Sequence, residues 1–169
     1  MTGIIRKLKG DGAPLPPLPT GKAVALAWTG GFIAIAMVAL LTDWMAIPWL
    51  LGSFGASCVL VFGFPDAAFS QPRNVVAGHL ISSLVGLAFL TVLGPHWWSV
   101  AMSVGTAIAI MMLTRTVHPP AGSNPVIVFL TQPTWSFVLF PTLVGSLVLV
   151  AVTLVYNNAT RDARYPKYW

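Results

Sequence analysis

The residues best suited to bind a solute belong to a short motif that occurs twice in the chain. Residues 55–62 read Gly-Ala-Ser-Cys-Val-Leu-Val-Phe and residues 122–129 read Gly-Ser-Asn-Pro-Val-Ile-Val-Phe, so four of the eight positions are identical. Apolar matches carry little information in so apolar a chain. The glycines and the small polar residues after them are therefore the candidates for a binding site.

These two motifs predict a site for a small anion. A helix that begins at such a motif presents unpaired N–H groups and about half a positive charge, both of which attract anions. In membrane proteins, paired segments broken by Gly and Pro in two halves indicate a transport site near the midplane. The predicted substrate-binding residues are Gly55, Ser57, Gly122, Ser123 and Asn124. The alternative is that Gly and Ser only allow close helix packing.

A second group of residues predicts a cationic inner mouth to this site. It contains Arg73, His79, Arg115 and His118. A cationic vestibule raises the local concentration of anions. Alternatively, the arginines only extend to lipid headgroups, and His79 is a core histidine hydrogen-bonded to a neighbour. A step that depends on the protonation of His79, or co-transport of a proton, is a further hypothesis.

Enzymatic and metal chemistry find little support in the sequence. The chain has no Glu, and Asp43 and Asp66 are predicted at opposite faces of the membrane, with Asp66 free to pair with Arg73. The three His and single Cys lack metal-ligand spacing, and there is no phosphate loop or nucleophile elbow. We expect no catalytic residues, no metal and no cofactor.

Composition places most of the chain in lipid. Hydrophobic residues make up 56% of the sequence and charged residues only 8%, whereas a soluble domain has roughly 25% charged residues. The net charge of +5 does not indicate nucleic-acid binding, because the basic residues lie at the two ends and in two short loops.

The elements that must position these residues are six apolar stretches. They lie at about 23–41, 47–64, 75–93, 97–114, 119–131 and 136–156. The second contains Pro48 and Gly52, and the fifth is too short for a full span and opens with Pro119-Pro120, so both are predicted to be short, broken helices. The prediction is an all-α membrane bundle of two inverted three-helix repeats, 23–93 and 97–156. A basic, Pro-rich arm at 1–22 precedes it and a basic tail at 157–169 follows it.

Charge predicts the orientation of the bundle. If all six stretches cross, all nine Lys and Arg residues are cytoplasmic together with both termini, as the positive-inside rule expects. Aromatic residues agree, because Trp44, Trp49, Trp97, Trp98 and Trp135 then lie near the outer interface and Trp28 near the inner one. The alternative is that residues 119–131 enter and return on the same side. The predicted location is a bacterial inner (plasma) membrane.

The chain resembles the HPP family of integral membrane proteins. The resemblance rests on Thr114-Arg-Thr-Val-His118-Pro119-Pro120-Ala-Gly122, on Ser53-Phe-Gly-Ala-Ser57, and on Gln71-Pro-Arg-Asn74 followed by Gly78-His79. It extends over roughly residues 20–156. Plant and cyanobacterial members are associated with nitrite transport, so the resemblance implies a small-anion role. One departure is Gly122-Ser-Asn-Pro125, where relatives often continue with Gly-Ala-Thr; this difference affects anion preference or the start of the fifth helix.

The sequence therefore predicts a transporter or channel for a small monovalent anion, with nitrite as the best single candidate. The alternative is a membrane assembly protein that moves no solute. Expected partners are a small inorganic anion, the lipid bilayer and a possible homo-oligomer, with no nucleic acid.

Overall fold

The computed structural model describes residues 7–8, 11–45 and 50–169, and from Gly21 onward these residues form a bundle of six α-helices. No β-strand occurs in that part of the chain. The helices are α1 (Gly21–Met45), α2 (Gly52–Cys58), α3 (Pro72–Leu93), α4 (Trp97–Leu113), α5 (Asn124–Thr131) and α6 (Val144–Thr160). The predicted all-α class is confirmed.

Three helical segments are long and apolar enough to cross a membrane. They are Gly21–Trp44, Pro72–Leu93 and Trp135–Thr160, with 24, 22 and 26 residues; a span of about 20 residues crosses a hydrocarbon core of about 30 Å. Two shorter apolar helices, Gly52–Gly63 and Trp97–Leu113, accompany them. The protein is thus a helical membrane bundle, as predicted.

The second and fifth segments are short and broken, as predicted. Helix α2 has only seven residues and continues as a π-helical turn, Val59–Gly63. Helix α5 has eight residues and follows a 3-10 turn, Pro119–Ser123. The predicted start of the second stretch, with Pro48 and Trp49, lies outside the described residues.

One end of the bundle holds Arg73, Arg161 and Lys167 and is called the basic end. At this end the tail contacts the loop before α3. Tyr165 Oη donates to Ser70 O (2.6 Å), and Lys167 N donates to Gln71 Oε1 (2.7 Å). Arg73 Nη2 donates to Thr114 O (3.1 Å), which joins α3 to the link after α4. The start of α1 is also here, since Ala23 and Arg161 line one pocket.

The pairing of Asp66 with Arg73 predicted from the sequence is wrong. Asp66 instead pairs with two residues of the tail, Arg161 (2.6 Å) and Lys167 (3.0 Å). Hydrogen bonds from Lys167 and Arg161 hold the pKa of the Asp66 carboxyl below its ordinary value. Arg161 of the tail lies 95 residues from Asp66 in sequence. The tail, rather than Arg73, therefore supplies the cationic partners of Asp66.

The fifth segment runs from the basic end to the opposite end. At its start, Asn74 Nδ2 on α3 donates to Val117 O (2.9 Å). At its far side, Val126 and Leu130 share a pocket with Pro95 of the loop between α3 and α4 and with Trp97, the first residue of α4. This course is the one that six crossings require, and it differs from a segment that enters and returns on one side.

Some of the helix pairs follow the pattern expected for two related halves, whereas the close packing of α3 on α5 has only a slight equivalent between α6 and the second segment. Helix α1 packs on α6 and α3 packs on α4, while α2 meets the 3-10 turn of the fifth segment. A two-fold relation between the halves would exchange the first two pairs and map the third onto itself. The inverted relation of the repeats stays a prediction that this pairing supports.

Candidate functional site

A cluster of four polar side chains lies inside the bundle where the two broken segments meet. Ser57 lies on α2, His79 on α3, His118 in the link before the 3-10 turn, and Asn124 at the start of α5. All four are fully buried. They come from four different elements, so only the folded bundle brings them together; they are called the polar cluster below.

The prolines of the fifth segment position His118 and Asn124. His118 has an extended backbone (φ −134°, ψ 99°), which is the conformation that a residue before proline prefers. The 3-10 turn from Pro119 then leads into α5, where Pro125 lies in the first turn and its missing N–H costs no hydrogen bond. The sequence His-Pro-Pro therefore places an extended histidine immediately before a helix start.

Two glycines of α3 allow the fifth segment to approach closely. A Cβ atom on Gly78 would lie 2.8 Å from His118 Cβ, and one on Gly86 would lie 2.9 Å from Pro125 Cα. Both distances are shorter than carbon atoms tolerate. In lipid, where apolar burial drives association weakly, such small residues let helices pack against each other.

The hydrogen bonds of His118 define its tautomer. Its Nδ1 lies 2.6 Å from Phe69 O, and a carbonyl oxygen only accepts, so Nδ1 carries a hydrogen. In a neutral ring Nε2 is then an acceptor. It lies 2.8 Å from Ser57 Oγ, which donates to it.

His79 has the opposite tautomer. Asn124 Nδ2 lies 3.1 Å from His79 Nδ1, and an amide nitrogen only donates, so Nδ1 accepts. The hydrogen of the neutral ring is on Nε2, which donates to Ser57 Oγ (3.0 Å). The two hydrogens of this amide are shared among His79 Nδ1, His79 O (3.3 Å) and Ser83 Oγ (2.9 Å), which together fix the orientation of Asn124.

Two buried oxygens beside these bonds have no partner in the described part of the protein. They are Asn124 Oδ1 and Ser53 Oγ, and Ser53 lies one helical turn before Ser57 on α2. Unpaired polar atoms are rare in protein interiors. A water molecule or a ligand that forms hydrogen bonds with these two oxygens would satisfy them.

The cluster lies at membrane depth rather than at the surface. His79 is seven residues beyond Pro72, the first residue of α3, which is about 10 Å along the helix. Ser83 is one turn deeper, and its hydroxyl is 2.9 Å from that of Thr142. Polar groups therefore continue from the cluster toward the middle of the bundle.

The structure brings some predicted site residues together and separates others. Ser57 and Asn124 join the cluster, but Gly55 and Ser123 are exposed and Gly122 is half-buried. Helix α2 begins at Gly52, three residues before Gly55, so the backbone N–H groups of this motif lie inside the helix rather than at its start. Segment two thus contributes a side chain, Ser57, to the cluster.

The four residues predicted for the cationic mouth fall into two groups. His79 and His118 are buried in the polar cluster, with ring centroids 5.1 Å apart. Arg73 and Arg115 are exposed at the basic end. The arginines lie at the entrance and the histidines lie beyond it.

Several residues of the site were not identified from the sequence. Ser83 and Thr142 extend the cluster, and Phe69 contributes its backbone carbonyl. Two adjacent serines, Ser82 and Ser83, inside an apolar helix were the available signal for the first. A carbonyl leaves no signature in the residue type. No group of three metal-ligand side chains occurs among the residues that the structure describes.

The fold and the buried polar cluster define an integral membrane protein built from a helical bundle. Comparison with known proteins assigns it more narrowly, because a family model described as HPP, transmembrane region, matches residues 16–166. The chain belongs to the HPP transmembrane family. The resemblance noted in the sequence is thereby confirmed.

Two transmembrane proteins of Dictyostelium discoideum are among its relatives. One is 32% identical over 91% of this chain and 58% of its own length. The other is 34% identical over 97% of this chain and 56% of its own length. The chain thus spans a little more than half the length of these relatives. No solved structure shows a significant match.

Proposed function

We propose that this protein is a transporter or channel for a small monovalent anion, with nitrite as the best candidate, rather than an enzyme. The observation that carries the proposal is the fully buried polar cluster of Ser57, His79, His118 and Asn124. Polar groups at membrane depth are expensive and are typically found along solute or proton pathways. The cluster forms where the two broken segments meet, which is the place where many secondary transporters bind their substrates.

The chemistry of the cluster suits an anion that binds and is then released during transport. Its hydroxyl, amide and imidazole groups carry no fixed negative charge, and an anion can bind when hydrogens that they now donate to one another turn toward it. No carboxylate is hydrogen-bonded to the cluster in the described part of the chain. Neutral donors hold an anion without the strong attraction of a permanent cation, so release remains fast.

The basic end provides the entrance in this proposal. Arg73 and Arg115 are exposed there, and exposed cations raise the local concentration of anions. The proposal takes this end and both termini as cytoplasmic, which the positive-inside rule supports. The choice of nitrite comes from the family resemblance; nitrate, formate, bicarbonate and chloride are the competitors.

A second candidate, an assembly protein, is favoured by the outer surface of α4. Ala101, Gly105 and Ala109 are exposed at intervals of four residues, and a Cβ atom on Gly105 would meet nothing within 4 Å. Small residues at this spacing typically mediate helix association in membranes. Such a surface suits a homo-oligomer, and a transporter can also use it.

Flux into proteoliposomes that contain only this protein distinguishes the two. Nitrite, nitrate, formate and chloride are compared, with protein-free liposomes to subtract diffusion through lipid. The transporter proposal predicts saturable, protein-dependent nitrite flux. Absence of flux for every anion, from protein shown to be folded and inserted, would leave the assembly role.

A further inference from the structure

The polar cluster contains a chain of hydrogen bonds whose direction is fixed at both ends. Asn124 donates to His79, His79 to Ser57, Ser57 to His118, and His118 to Phe69 O. An amide nitrogen at one end only donates and a carbonyl at the other end only accepts. With both histidines neutral, the single hydrogen of Ser57 must therefore point to His118.

Ser57 also has a second acceptor for that hydrogen. Its Oγ lies 3.0 Å from Ser53 O, the carbonyl one turn earlier on α2. If the hydroxyl rotates toward Ser53 O, the Nε2 lone pair of His118 becomes free to take a proton. Ser57 Oγ then accepts from Nε2–H of both histidines, and every hydrogen bond in the chain is satisfied again.

Among the described residues, the contacts of His118 include no counter-charge for a protonated ring. The ring faces His79, whose other neighbour is the ring of Phe54, with centroids 5.1 Å apart. The titratable or charged groups on the surrounding elements are Cys58, Arg73 and Arg115, the ion-paired Asp66, Arg161 and Lys167, and Asp162, Arg164, Tyr165 and Tyr168 of the tail. No carboxylate among the described residues is hydrogen-bonded to either histidine.

A buried cation without a partner is costly, so a charge on His118 is stabilised chiefly when an anion lies beside it. We propose that His118, with Ser57 as a rotating hydroxyl switch, takes up one proton for each anion bound, so that the anion and the proton cross together. This inference rests on the proposed transport function. One proton is gained at Nε2 from water on the side of entry and is lost to water on the side of release, with no other bond made or broken.

Coupling is tested by measuring nitrite uptake and internal pH together in proteoliposomes. Runs are made with and without a potassium-diffusion potential, and protein-free liposomes correct for nitrous acid that crosses the lipid. The coupled mechanism predicts one proton per nitrite and uptake that does not respond to the membrane potential, since no net charge moves. Nitrite uptake that follows the potential without proton entry would overturn the coupling and leave the transporter. No uptake at all would instead overturn the proposed function.

Ser57→Ala tests the switch, with Ser103→Ala as its matched control. Both serines are fully buried, but Ser103 Oγ bonds to Val100 O of its own helix (2.8 Å) and lies outside the polar cluster. Ser57→Ala is expected to slow proton-coupled uptake about tenfold or more, the effect of losing a buried hydrogen bond. Equal uptake and equal coupling in the two variants would contradict the role of Ser57.

Nitrogen-15 NMR of the histidines gives a readout that does not depend on transport. The wild-type protein at fixed pH should show neutral His118 with hydrogen on Nδ1 and neutral His79 with hydrogen on Nε2. Sodium nitrite at saturating concentration should convert His118 to the doubly protonated form. Nitrite binding with unchanged histidine signals would overturn the inference even if Ser57→Ala fails to fold.

Discussion

Ser57 Oγ lies 2.8 Å from His118 Nε2, and this bond joins the two broken segments of the bundle across 61 residues of sequence. Helix α2 and the link before the fifth segment thus meet through a polar contact inside the bundle. A hydrogen bond between neutral side chains contributes modestly to stability, but leaving one of its atoms unpaired in the interior costs about 1–3 kcal/mol. The contact therefore constrains the positions of both segments relative to each other, and neither of its side chains faces lipid.

Adding a methyl group at Gly78 or Gly86 should disrupt the approach of the fifth segment. The new Cβ would lie 2.8 Å from His118 Cβ in Gly78→Ala and 2.9 Å from Pro125 Cα in Gly86→Ala. Overpacking of this kind costs about 1–3 kcal/mol. Thermal unfolding in detergent measures the loss.

Gly55→Ala is the matched control for these glycines, because Gly55 also lies in a helix and its Cβ would meet nothing within 4 Å. Alanine also favours helix by about 1 kcal/mol relative to glycine, so this variant should be as stable as the wild type or more stable. Unchanged stability in Gly78→Ala and Gly86→Ala would mean that the fifth segment does not pack as described.

The ion pairs of Asp66 should make stability depend on acid pH. Because its folded pKa is lowered, Asp66 stabilises the fold above its unfolded pKa, about 3.9. That contribution is lost as pH falls through the folded pKa. Unfolding curves between pH 3 and pH 6 should therefore converge for the wild type and Asp66→Asn at the acid end.

Asp162→Asn is the control for this effect, since Asp162 is an exposed aspartate of the same tail. Asp162 forms no ion pair with the described residues, so its replacement should leave the pairs of Asp66 intact and the stability close to that of the wild type. A wild-type protein whose advantage over Asp66→Asn stayed constant across the acid range would show that the ion pairs do not anchor the tail.

Tyr165 should hold the tail on the loop before α3. Its hydroxyl is buried and donates to Ser70 O at 2.6 Å, and burial raises the pKa of this phenol, so it stays a neutral donor at neutral pH. Tyr165→Phe leaves Ser70 O without this donor at a cost of about 1–3 kcal/mol. Proteolysis of the tail should become faster.

Tyr168→Phe provides the comparison, because that hydroxyl bonds to Ala68 O (3.0 Å) and Asn74 Oδ1 (3.2 Å) from an exposed residue. Water can replace its bonds, so its proteolysis rate should change less. An equal effect of the two substitutions would contradict the anchoring role of Tyr165.

The architecture was largely predictable because lipid imposes simple rules on a sequence. Apolar length identified the long helices, and the prolines and glycines of 47–64 and 119–131 identified the broken ones. The residues at which helices begin were harder to predict from the sequence. Helix α2 begins at Gly52, three residues before the motif glycine Gly55, so the motif did not locate the start of the helix.

The sequence predicted several residues of the site, but it did not predict how these residues are arranged. The motif selected Ser57 and Asn124, but charge grouped His79 with Arg73 although their side chains lie at different depths. The positive-inside rule assigns loops to one side of the membrane, but it does not locate a side chain to within one or two helical turns. The partner of Asp66 was missed for a related reason, since the tail folds back from a distant part of the sequence.

The most direct test of the account compares nitrite flux in His118→Gln and His96→Gln proteoliposomes. Both variants replace a histidine by the same neutral residue, but His118 is buried in the polar cluster and His96 is exposed between α3 and α4. The account predicts that His118→Gln loses flux about tenfold or more, while His96→Gln keeps the wild-type rate. Wild-type flux in a folded His118→Gln protein would contradict the claim that the polar cluster is the transport site.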